Sequence, residues 1–267
     1  MVTTEEKHDG RKDEIEVTWE DIERNGFVRI PFLRGDQFNN IKKNVDAVVE
    51  EAGQDDPENW YTRSKMLSVC DGSVRYANFE GTQIQTKNKT LQDLRHSVCS
   101  KVAPLVGKDV KVSGGGKLAI RYSRPSLAPW TTPIFGWHIE RGAGDGLRAT
   151  TLACLTKVDK GGGGLTVIPG SHRWSWIHQI MSLKLPYFFS VLIAHIVAWI
   201  CMPWAVEVTA DEGELIIMDP YLVHSSSVNV SRRPRLVLQY KAGLGKQLAI
   251  ALIQTKETHL YSYDKNH

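Results

Sequence analysis

The chain has 267 residues, 42% hydrophobic and 24% charged, a globular balance that excludes wholesale disorder. Its 33 Lys and Arg against 30 Asp and Glu leave a formal charge of +3, too small and too scattered to indicate a nucleic-acid partner. Four cysteines without metal-type spacing (Cys70, Cys99, Cys154, Cys201) exclude a disulfide framework and fit free thiols in a reducing compartment.

Residues 1–16 are highly charged and read as a disordered tail, leaving 17–267 as a single domain. The start is polar and acidic, with neither the apolar core of a secretory signal nor the Arg-rich character of a transit peptide, and the end is not a peroxisomal tripeptide; the expected location is the cytosol. Thr18 is a suitable N-cap for a helix that Gly26 ends. Phe27–Pro31 alternates as a strand. Phe38, Ile41, Val45, Val48 and Val49 recur at helical spacing and predict a helix over Asp36–Ala52. Leu91, Leu94, Val98 and Val102 predict another over Thr90–Val106, closed by Gly107.

After Gly114-Gly115-Gly116 the pattern turns to short strands: Leu118–Tyr122, Phe135–Ile139, Ala149–Val158, Leu165–Ile168, Leu215–Met218 and Leu236–Tyr240. Pro125, Pro129 and Pro133 stiffen a loop, and Gly161–Gly164 makes a turn. The latter is no phosphate cradle, because neither Lys-Ser/Thr nor a helix follows. Helices first and many strands later indicate an α+β fold with a barrel or jelly roll in its second half.

Leu185–Val206 holds no acid or base and is long enough to be a membrane-span candidate, weakened by Pro186, His195 and Pro203.

Chemistry concentrates in His138, Glu140, His224 and Arg235. On a strand, residues i and i+2 share a face, so His138 and Glu140 point one way while Trp137 and Ile139 point to packing. An imidazole and a carboxylate so placed can take adjacent positions on a metal. A distant His would complete a two-His-one-carboxylate set suited to non-haem Fe(II), which keeps positions open. His224 stands near the start of a polar connection, and Arg235 enters the return strand, where a guanidinium could hold a dicarboxylate. Taken singly, His138 reads as a core histidine, His224 as a turn residue and Arg235 as the partner of a nearby acid. His172 reads as structural, His178 and His195 as polar anchors, Trp174 and Trp176 as packing, and Tyr122 as a low-ranking cosubstrate contact.

Three stretches carry a resemblance. Asn25-Gly26-Phe27-Val28-Arg29-Ile30-Pro31 is similar to an N-terminal "NGFV" strand. Leu155–Asp159 with Gly163–His172 resembles an "LxxVD…NGxLxVIPGSH" block. His224-x-Ser226-x-x-Asn229-x-Ser231-x-x-Pro234-Arg235 resembles an "HxSxxNxSxxPR" block. These belong to the phytanoyl-CoA dioxygenase family of Fe(II)/2-oxoglutarate-dependent oxygenases, and the likeness runs from about Val17 to about Gly243.

The resemblance implies a double-stranded β-helix, or jelly roll, with N-terminal helices packed outside. It implies His138, Glu140 and His224 as catalytic metal ligands, Arg235 on the C5 carboxylate of 2-oxoglutarate, and Ser226 assisting. Fe(II), 2-oxoglutarate and O2 are the implied cofactor and cosubstrates, succinate and CO2 the by-products, and hydroxylation of a small or lipid-like molecule the default outcome. Departures from the family are Glu140 where Asp is usual, Leu152 near where some members carry Trp, and the uncharged insert. A carboxylate at 140 argues against the halogenase variant.

A single membrane crossing by the insert would part Glu140 from His224. The apolar insert, 177–206 at its widest, is therefore expected to pack against the barrel, or else to form a lid, or thirdly to dip into a membrane surface. A zinc hydrolase is disfavoured because no His-Glu-x-x-His occurs. A catalytically silent jelly roll that binds a ligand or a membrane is the competing reading.

Overall fold

The computed structural model describes residues 19–51, 72–77, 81–86, 88–107, 109–121, 136–140, 146–176, 179 and 187–244. The N-terminal tail, Thr18, Cys70, the 122–135 stretch with Tyr122 and its prolines, and His178 lie outside these.

Four helices are described: α1 (Trp19–Asn25), α2 (Gly35–Glu51), α3 (Lys89–Val106) and α4 (Tyr187–Cys201). The ten strands are β1 (Phe27–Pro31), β2 (Gly72–Ala77), β3 (Gly81–Thr86), β4 (Val110–Arg121), β5 (Leu147–Cys154), β6 (Leu165–Val167), β7 (Val206–Val208), β8 (Glu214–Met218), β9 (His224–Ser226) and β10 (Arg235–Leu244). They form a seven-stranded sheet, ordered β1-β8-β5-β10-β4-β3-β2, and a three-stranded sheet, ordered β7-β6-β9. Every pairing is antiparallel, and the core is jelly-roll-like.

Period-2 alternation assigns the two faces of the large sheet. Val28, Ile30, Ala153, Leu215, Ile217, Leu236, Leu238 and Tyr240 pack with the apolar stripes of α2 and α3 in one buried cluster. Leu152, Cys154, Ile216, Met218 and Val237 face the opposite way, against Leu165, Val167 and Val208 of the small sheet. The large sheet is thus covered by helices on one side and by the small sheet on the other.

Boundaries differ from the sequence expectation where local chemistry decides them. Asn88 starts α3 one residue early, its side chain accepting from Leu91 N at 3.2 Å. Gly107 closes it at φ 117°, its N–H on Ala103 O. The Gly114–Gly116 run lies inside β4, where the register against β10 slips between Gln239 and Lys241, a bulge. Among 136–140, the expected strand makes a single ladder bridge, His138 to His224.

The uncharged segment forms α4 followed by a 3-10 turn, Met202–Trp204. At 15 residues α4 is about 22 Å long, short of the ~30 Å apolar core of a bilayer. No helix among the described residues is long and apolar enough to cross a membrane. Its inner face (Val197, Ala198, Cys201) packs with Trp137, Ile139 and Val223. Trp137 and Ile139 alternate with His138 and Glu140, so α4 lies behind the ligand-bearing segment, on the side away from those two side chains.

Candidate metal centre

The site is assembled by backbone pairing. His138 N donates to His224 O and His224 N to His138 O, both at 2.9 Å, and Glu140 N donates to Pro220 O at 2.8 Å. Side chains 86 positions apart in sequence are thereby set side by side, with ring centroids 4.3 Å apart. One ligand atom from each of His138, Glu140 and His224 lies within 4.8 Å of the others. This cluster is the arrangement that can hold a metal ion.

Each imidazole is oriented from behind. His138 Nδ1 lies 2.7 Å from Gly136 O, and His224 Nδ1 2.8 Å from Leu222 O. A carbonyl only accepts, so each Nδ1 carries a proton, leaving Nε2 as the ring nitrogen that can meet a cation. Burial, followed by the adjacent His138, pushes His224 down to about 4, so it is a neutral imidazole at neutral pH. For Glu140, burial alone would raise the carboxyl. Its electrostatic neighbours His224 and Lys241, with the Lys241 hydrogen bond, outweigh burial and hold it below the usual carboxylate range.

The motif blocks act as a frame. Gly170, at φ 78°, donates to Asn25 O at 3.1 Å, and buried Ser171 Oγ accepts from Val223 N at 2.9 Å, fixing the residue before His224. His172 Nε2 lies 2.9 Å from Glu23 O, against Gly26, where a Cβ would fall 2.6 Å from its ring. His172 thus joins α1 to the frame, as its structural reading anticipates. His195 of α4 accepts from Gly136 N at 2.9 Å, an anchor of the expected kind.

The last block forms a turn. Asn229 Nδ2 donates to Arg233 O at 2.7 Å and to Arg121 O at 3.2 Å, while Ser231 Oγ donates to Asn229 Oδ1 at 2.6 Å. It delivers Arg235 into β10 opposite Arg121. Arg235 is 5% exposed, and its Nε has no hydrogen-bond partner among the described residues. Burial, then the like charge of Arg121, pushes it down to about 9. A buried guanidinium beside a second one, with an orphaned donor, is built for an anion. Ser226 ends β9 half-buried, two residues from His224.

Sequence reading missed Lys241 and Gln239. Lys241 Nζ lies 2.6 Å from Glu140 Oε2, and Gln239 Nε2 lies 3.5 Å from Oε1. The period-2 face of β10 that begins at Arg235 was the available signal.

No curated protein is significantly similar in sequence. Among solved structures, EvdMO1 shares 19% identity at TM-score 0.53, with 85% of this chain and 49% of that chain covered; the chain spans about half its length. The non-haem α-ketoglutarate-dependent carbocyclase SnoK of nogalamycin biosynthesis shares 16% at TM-score 0.56, covering 85% and 83%. The epimerase SnoN, solved with Fe3+, α-ketoglutarate and nogalamycin RO, shares 15% at TM-score 0.52, covering 85% and 82%. These likenesses establish the fold. A family model described as phytanoyl-CoA dioxygenase (PhyH) matches residues 22–237. With that match running through both sheets and all three candidate ligands, the chain belongs to the phytanoyl-CoA dioxygenase family of non-haem Fe(II)- and 2-oxoglutarate-dependent dioxygenases.

Proposed function

We propose that His138, Glu140 and His224 hold one Fe(II) ion at the mouth of a double-stranded β-helix, and that the enzyme hydroxylates a small or lipid-like organic molecule. The observation that carries this reading is the convergence of two imidazole nitrogens and one carboxylate oxygen within 4.8 Å. The donor set fits the ion: two imidazoles whose Nδ1 atoms lie on backbone carbonyls, leaving Nε2 for a cation, and one ionised carboxylate. Arg235 fits the distal carboxylate of 2-oxoglutarate, since its Nε is buried without a partner, with Ser226 assisting. Bound there, Fe(II), 2-oxoglutarate and O2 supply oxidative decarboxylation to succinate and CO2, coupled to oxidation of a C–H bond.

The chain's own residues fix geometry and exclude water. Leu222 and Gly136 carbonyls lock the imidazole tautomers. Arg235 orients the keto acid, and the cluster of Leu152, Val167 and Val237 between the sheets keeps the region dry.

The lipid-like part of the substrate class is read from α4. Its outer face exposes Phe189, Leu192, Ile196, Trp199 and Ile200, and Trp204 follows. No acid occurs between Asp159 and Glu207, whereas Lys160, Arg173 and Lys184 do. An acid-free apolar helix with exposed tryptophans suits the interface of an anionic bilayer. Ile200→Asp is expected to lower retention on vesicles containing phosphatidylglycerol at least tenfold; equal retention contradicts that part alone.

The direct test is turnover. Purified protein with Fe(II), ascorbate and 2-oxoglutarate is expected to release succinate above background, and Glu140→Ala to release none. Wild-type protein releasing no succinate would overturn the reading.

A further inference from the structure

The two oxygens of Glu140 are treated differently. Oε2 accepts from Lys241 Nζ at 2.6 Å. Oε1 faces His224 Nε2 at 3.8 Å, with the Gln239 amide 3.5 Å away. Gln239 and Lys241 share one face of β10, and the slip of register against β4 falls between them, opposite the Gly114–Gly116 bulge. A bulge bends its strand and re-aims neighbouring side chains.

We propose that Lys241 is a positioning residue that keeps Glu140 a one-oxygen ligand; the inference rests on reading Glu140 as a metal ligand. Glutamate has one more rotatable bond than the aspartate usual in the family, so an untethered carboxylate can turn both oxygens onto a cation. An ion with six positions, held by three protein atoms, would keep three, enough for a keto acid bound through two atoms and for O2. A two-oxygen Glu140 would occupy one of them. Lys241 removes that option by holding Oε2 on β10, while the buried wall limits the rest of the side chain, which is 7% exposed. The Lys241 side chain is itself 37% exposed, so replacing it need not disturb the core.

The test titrates 2-oxoglutarate into anaerobic, Fe(II)-loaded full-length protein and follows the metal-to-keto-acid charge-transfer absorption. Lys241→Met is expected to retain Fe(II) and to need at least tenfold more 2-oxoglutarate for half-development of the band. Lys241→Gln serves as a second neutral variant, and Lys241→Arg, which can still donate to Oε2, is expected to restore the wild-type titration. In a Glu140→Asp background the shorter carboxylate makes the tether unnecessary, so adding Lys241→Met is expected to change the titration less than threefold. An unshifted titration in both neutral variants overturns the proposal, as does an equal shift in the Glu140→Asp background, which would mean that Lys241 touches the keto acid itself. Wild-type protein that takes up no Fe(II) overturns the ligand reading and this inference together.

Discussion

Arg235 is the residue whose surroundings say most about its purpose. A cation 5% exposed is ordinarily held by an acid, yet among the described residues its nearest charged neighbour in the ladder is another arginine, Arg121. On the proposed reading, the distal carboxylate of 2-oxoglutarate supplies the missing anion. Arg235→Ala is expected to raise the 2-oxoglutarate concentration for half-maximal succinate release by about tenfold or more, with Fe(II) uptake unchanged. This follows from loss of a charge-assisted contact worth about 1.5–3 kcal/mol. An unchanged requirement would contradict the assignment. At the same scale, burial pushes the Cys154 thiol up to about 12. Native protein at pH 8 should carry about one thiolate in ten thousand there, so alkylation of Cys154 should wait for unfolding. Rapid labelling in the native state, read by mass spectrometry, would show that the large sheet does not exclude solvent as described. Glu140 and the histidines were legible through their motifs, because those motifs record chemistry close in sequence. Lys241 was not, since the alternation of β10 puts it on the face of Arg235 but says nothing of the Glu140 it meets from 101 positions away.

Among the elements, β10 joins the core to the candidate site. Its even-numbered side chains, Leu236, Leu238 and Tyr240, enter the core under the helices. Of its odd-numbered ones, Gln239 and Lys241 meet Glu140, and Arg235 is the proposed holder of the cosubstrate. Tyr240 Oη donates to Leu91 O at 2.7 Å and ties the strand to α3. Tyr240→Phe is expected to cost about 1 kcal/mol in denaturant unfolding while sparing metal uptake. A sharper dependence holds at the entry to β8. Gly213 has φ 80°, its O accepts from Phe32 N and Leu33 N, and a Cβ there would fall 2.2 Å from Leu33 O. Gly213→Ala is expected to cost about 2–4 kcal/mol, from left-handed strain plus displacement of a backbone carbonyl. A midpoint shift under 0.5 kcal/mol would mean that this turn is not rigid. The elements recovered from sequence, α1, β1, α2, α3, β5, β6, β8 and β10, carry either a periodic apolar face or a short continuous apolar run bounded by turn residues or charge. The start of β4 was hidden because its glycine bulge reads as a break. β2 and β3 were hidden because their apolar signal is slight, Val74 and Tyr76 in one and Ile84 alone in the other.

At the scale of the molecule, the helices on one face of the large sheet and the small sheet on the other leave the ligands between the sheets and α4 behind them. The insert was readable as uncharged. Its place was not, because periodicity says which face is apolar and says nothing about what that face meets. Its inner side covers Trp137 and Ile139, so the apolar run that suggested a membrane span instead backs the segment bearing His138 and Glu140. On the proposed reading, three side chains from distant parts of the sequence meet at one ion. Anomalous diffraction at the iron edge, from crystals grown anaerobically with Fe(II), tests it most directly. The expected result is one strong peak about 2.0–2.3 Å from Nε2 of His138, Nε2 of His224 and one oxygen of Glu140; a peak bound elsewhere, or none at full iron loading, would contradict it.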